Sequence, residues 1–143
     1  MNSDILAPAS VLVVWTLIMM IWVMATRLPA MKKAGIDMGA RPGGRGQDLQ
    51  GLIPDSVNWK AHNYNHLMEQ PTIFYATVFI VALTGTGDVW LNVWLAWAYV
   101  GLRIVHSIIQ ATWNHVPARF WAFVLSSIAL LALALHAAAA ALH

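Results

Sequence analysis

From Val11 to Met24 the chain reads Val-Leu-Val-Val-Trp-Thr-Leu-Ile-Met-Met-Ile-Trp-Val-Met. The apolar run covers about residues 6–28, and after Asp4 its first charge is Arg27. About 20 such residues cross the hydrocarbon core of a bilayer as an α-helix. Little else can sit there, because every backbone polar group must find its partner within the element. A secretory leader would open with basic residues and close on a small-residue cleavage site. This run opens with Asp4 and shows no clear site, so it is read as a retained helix.

Three further apolar runs follow, at about 58–83, 89–112 and 118–142, separated by the Gly85-Thr-Gly-Asp88 and Asn114-His-Val-Pro117 turns. Composition agrees: 59% of residues are hydrophobic and 10% charged, against about a quarter charged in soluble domains. No cysteine is present, which excludes disulfides, thiolate metal sites and a cysteine nucleophile. Trp90, Trp94 and Trp97 suit an interfacial belt, and Ser126, Ser127, Ala129, Ala132 and Ala134 suit close helix packing. The expectation is an all-α membrane protein, a four-helix antiparallel bundle forming one domain over residues 1–143.

Residues 29–57 differ in kind, with Arg41-Pro-Gly-Gly-Arg-Gly46 as a breaker. Arg27, Lys32, Lys33, Arg41 and Arg45 are five of the eight Lys and Arg residues. The formal charge of +2 therefore reflects membrane orientation rather than a phosphate-binding patch, and no nucleic-acid partner is expected. The positive-inside bias puts this loop in the cytoplasm and both termini outside.

The second span is polar in its first half: Asn58-Trp-Lys-Ala-His-Asn-Tyr-Asn-His-Leu-Met-Glu-Gln-Pro71. His62, His66 and Glu69 fall at i, i+4 and i+7, one helical face, with Asn65 beside it. Arg103, His106 and Gln110 make a similar stripe on the third span. At 1.5 Å per residue, Glu69 and Arg103 both lie about 15–16 Å from the cytoplasmic end. An unpaired charge there costs about 2.5–3.5 kcal/mol, so a Glu69–Arg103 ion pair is expected. Pro71 predicts a kink beside it.

Such residues can serve as interhelical glue, worth about 0.6 kcal/mol each. Their concentration at one depth favours a site instead. His62, His66, Glu69 and His106 could also form a metal or haem ligand set, although Arg103 would compete for Glu69. His115 falls in a turn, and His136 and His143 lie at the far end, away from the cluster. Arg27, Lys60 and Arg119 stand at cytoplasmic helix ends, where they either snorkel to the interface or face an anionic ligand.

These residues resemble the MAPEG family, the membrane-associated proteins in eicosanoid and glutathione metabolism. The likeness covers nearly the whole chain. Lys60-Ala-His-Asn-Tyr-Asn-His-Leu-Met-Glu69 is similar to the family's basic–Asn–Glu motif in two registers. One places His66 at the Asn position and His62 at the basic one; the other places Asn65 at the Asn position. Gly101-Leu-Arg-Ile-Val-His106 resembles the third-span motif, Pro117-Ala-Arg119 the fourth, and Arg27-Leu28 the end of the first. The resemblance implies a homotrimer, bacterial-type and in an inner membrane, that binds glutathione or a related anionic thiol between subunits.

On that likeness Arg119 would stabilise the thiolate as the catalytic residue. Arg27, His62, Asn65, His66, Glu69, Arg103, His106 and Gln110 would bind the co-substrate, with no metal required. The implied activity is a glutathione transferase or peroxidase acting on lipophilic electrophiles or hydroperoxides. Phe120 and Phe123 stand where some members have Ser and Tyr, and Gln110 where a Tyr is common. The alternative is therefore a binding protein that keeps the fold and has lost thiol chemistry.

Overall fold

The computed structural model describes residues 3–40 and 42–143; Arg41, part of the predicted breaker, lies outside them. Helix α1 spans Leu6–Lys33, five residues beyond the expected end, and closes on Lys32 and Lys33, where cations suit the helix dipole. Gly35, at φ 69°, then reverses the chain. Gly35 N–H donates to the Lys32 carbonyl at 3.1 Å and Ile36 N–H to the Met31 carbonyl at 3.0 Å, a Schellman cap. A 3-10 turn at Gly46–Leu49 follows in the loop.

The second span is two helices, α2 at Asp55–Glu69 and α3 at Pro71–Leu83. Pro71 has no N–H for the Leu67 carbonyl, and the helix is interrupted at Gln70, where the sequence predicts a kink. The span begins at Asp55 rather than Asn58, because Pro54 sets the chain direction just before the first turn. Helix α4 covers Trp90–Thr112 and α5 covers Val116–Leu142, with Pro117 in its first turn.

Among the described residues, four helical stretches are long and apolar enough to cross a membrane: Leu6–Lys33, Asp55–Leu83, Trp90–Thr112 and Val116–Leu142. α4 packs most extensively on α5, α1 lies against α2, α3 and α4, and α3 leans on α5. The core runs through Leu12, Leu67, Phe74, Val78, Tyr99, Val100 and Leu133. Phe74 and Tyr99 stack with ring centroids 4.4 Å apart. Ile21, Phe79 and Leu131 are each at least 60% exposed while Arg103 is fully buried. That inversion of the water-soluble pattern suits a chain whose surroundings are lipid.

Candidate functional site

The α4 stripe turns inward as a unit. Arg103, His106 and Gln110 are all buried, as is Ser107 beside them. Ser107 Oγ accepts from Trp15 Nε1 of α1 at 3.0 Å and from Asn63 Nδ2 of α2 at 2.8 Å. One hydroxyl thereby ties three helices.

Arg103 Nη2 donates to the His66 carbonyl at 3.1 Å, while its Nε and Nη1 have no partner. The expected ion pair with Glu69 is not formed, and Glu69 is exposed. The reason is the rotation of α2. Asn63 and Leu67 face the core, and Glu69 lies two residues on, about 200° round the helix from Leu67. The cation instead meets the last turn of α2, where Pro71 interrupts the hydrogen-bond ladder and the helix dipole is negative. At the same break Gln70 Nε2 donates to Ser127 Oγ at 2.9 Å, and Tyr99 Oη donates to Gln70 Oε1 at 3.4 Å.

Two cavities flank α2. The first, about 430 Å³, is lined by His62, His66, His106, Gln110 and Arg119 together with Val116, Phe120 and Phe123. The imidazoles of His66 and His106 lie 5.4 Å apart between centroids, and Phe123 stands edge-on to His66 at 6.1 Å. Arg119 Nη1 donates to Asn114 Oδ1 at 2.7 Å, which fixes one edge of the guanidinium at the head of α5. Asn114 holds φ 51°, a left-handed value that Asn tolerates better than most residues.

The second cavity, about 380 Å³, is lined by Arg27, Arg45, Gly46, Gln47, Ala61, His62 and Asn65. Arg27 Nη2 donates to the Gly46 carbonyl at 2.8 Å. A Cβ on Gly46 would stand 2.9 Å from Arg27 Nη1, so the approach depends on glycine. Of the nine residues singled out in the sequence, five thus share the first cavity and three the second, His62 borders both, and Glu69 and Arg103 line neither.

The profile of the MAPEG family matches residues 5–139 of the chain. The chain belongs to the MAPEG family. No curated protein and no solved structure gives a significant match. With its four apolar helices, this MAPEG chain is an integral membrane protein.

Among the described residues of this MAPEG chain, no group of three or more His, Cys, Asp or Glu side chains could hold a metal ion. The histidine-and-glutamate ligand set therefore does not come together: Glu69 is exposed and lines neither cavity, apart from His62, His66 and His106 in the first. Phe123 lies in the first cavity and offers no hydroxyl, as its sequence position implied. Other placements carry more news. His115 caps α5 by accepting from Ala118 N–H at 3.4 Å, and His136 Nδ1 meets Asn92 Oδ1 at 2.8 Å near the far end of the bundle. Asn63, Ser107 and Trp15 were missed in the sequence, although the apolar stripe Val78–Phe74–Pro71–Leu67, continued backwards, lands on Asn63.

Proposed function

We propose that this protein binds glutathione, or a related anionic thiol, and uses it against lipophilic electrophiles or hydroperoxides. The supporting observation is the mixed lining of the 430 Å³ cavity: imidazoles, an amide and Arg119 stand beside Val116, Phe120 and Phe123. A polar co-substrate and an apolar one can meet there. Arg119 would hold the sulfur as thiolate by charge and by its free N–H edge. The thiolate forms a C–S bond as the electrophile's leaving group departs with its electron pair, and the thiol proton passes to solvent. With a hydroperoxide, sulfur takes the terminal oxygen, an alcohol leaves, and a second thiol closes a disulfide with loss of water.

Arg27 and Asn65 would grip carboxylate and ammonium groups from the second cavity, with Glu69 available to the ammonium. His106 would set the inner wall, with Arg103 behind it, 6.0 Å from the Phe123 ring. Two open half-sites that share His62 favour completion by a second copy, and so the homotrimer of the family likeness. The positive-inside bias supports a cytoplasmic basic loop, and the family likeness supports a bacterial inner membrane. Isothermal titration of the detergent-solubilised protein with glutathione is the test. Binding heat that Arg119→Ala or Arg27→Ala weakens about tenfold or more is expected, since charge-assisted bonds contribute about 1.5–3 kcal/mol. No heat with the wild type would remove the reading.

A second reading has its own observation. Neither Phe120 nor Phe123 supplies a hydroxyl to the cavity, which favours a non-enzymatic binding protein. Glutathione binding without turnover of chlorodinitrobenzene would select it.

A further inference from the structure

A third cavity, about 440 Å³, lies where α1 leaves its apolar span. Met24, Leu28 and Met31, at i, i+4 and i+7, give it one apolar wall. The Schellman cap folds Ile36 back beside Met31, and Leu49 and Leu52 close it from the loop. Its volume falls in the range of about 300–1,000 Å³ typical of small-molecule sites. Its apolar side chains are not packed away: Met24, Leu28 and Leu52 are each more than 40% exposed.

Charge identifies the occupant. Arg27 and Arg45 line this cavity, and Lys32 and Lys33 are exposed on the same helix end. The two carboxylates of the lining are turned to backbone amides. Asp37 Oδ1 accepts from Gly39 N–H at 2.8 Å and Asp48 Oδ2 from Arg45 N–H at 2.9 Å. Arg27 spends Nη2 on Gly46, and its Nε is buried without a partner. An apolar trough at a span's end, with unspent guanidinium donors at its head, matches an amphiphile whose anionic head lies at the membrane interface.

We propose that this cavity binds an anionic phospholipid of the bilayer, with one acyl chain along Met24, Leu28 and Met31 and the phosphodiester against Arg27 and Arg45. The site shares Arg27, Arg45 and Gly46 with the second cavity, but lipid retention is read without any thiol present and so does not depend on the proposed thiol chemistry. It ties the loop, which carries Arg45 and Gly46 of the second cavity, to the lipid surface.

Native mass spectrometry of the delipidated full chain in detergent, titrated with phosphatidylglycerol or with phosphatidylcholine of the same acyl chains, tests it. Phosphatidylglycerol is expected to be retained at least about fivefold better, the equivalent of one cation near the membrane surface. Arg45→Gln should remove most of that preference and keep residual binding of both lipids. Met31→Trp, which fills the trough, should lose both. Leu52→Trp does the same from the loop, outside the spans, should Met31→Trp fail to fold. Equal retention of the two lipids by the wild type overturns the proposal. So does a preference that survives both Arg45→Gln and Leu52→Trp, or binding of palmitate with none of phosphatidylglycerol.

Discussion

The guanidinium of Arg103 hydrogen-bonds through Nη2 to the main-chain carbonyl of His66, 3.1 Å away, at the point where Pro71 interrupts the second span. A cation buried in the bundle is thus met by a helix end rather than by a carboxylate. That acceptor lies in the last turn of α2, one residue before the Leu67 carbonyl that Pro71 leaves without a partner.

Arg103→Met removes that bond together with the desolvation penalty of a cation with two unmet donors. The net change in stability should therefore stay within about 2 kcal/mol. Amide exchange between His66 and Gln70 should nevertheless speed up, because the helix end loses its tether. Hydrogen-exchange mass spectrometry in detergent reads both effects, and unchanged exchange in that segment would contradict the tethering role.

Ser107→Ala should cost more than its size suggests. It strands the donors of Trp15 and Asn63 inside the bundle, and interhelical bonds in membranes reach about 1.7 kcal/mol. A loss of about 1–2 kcal/mol is expected in a denaturant titration. Adding Asn63→Leu should restore part of it, because one stranded donor disappears.

How much of this was legible before folding follows from what each signal depends on. The four spans were readable because length and the lack of charge are enough to specify them. The break was readable because Pro71 acts through its own ring. The inward α4 stripe was readable because its neighbours are apolar, so a single polar face stands out. The first half of α2 offers no such contrast. Asn58, His62, Asn63, Asn65, His66 and Glu69 leave the helical phase open, and the face chosen there put Glu69 against Arg103 and overlooked Asn63. Only packing against Leu67 and Phe74 decides the rotation.

Phe123→Tyr would place a hydroxyl in the cavity shared by His66, His106 and Arg119. If the proposed thiol chemistry operates, one added hydrogen bond to the thiolate should raise chlorodinitrobenzene turnover about tenfold. A rise from no detectable turnover would instead identify a wild-type binding protein made active. Steady-state rates for the two proteins separate the cases.

Gly46→Ala puts a methyl group 2.9 Å from the flexible end of Arg27, which can swing aside. Thermal stability should change by less than about 0.5 kcal/mol, as for a surface position. Glutathione affinity should fall several-fold, because the guanidinium no longer rests on the loop. Differential scanning and titration calorimetry on one preparation measure both.

His62 belongs to the walls of two cavities beside α2. A molecule in one cavity that favours one setting of this imidazole alters binding in the other by a fixed factor. The influence runs equally in both directions, as thermodynamic linkage requires. The side chain is thus a point of communication between two adjoining compartments of one subunit.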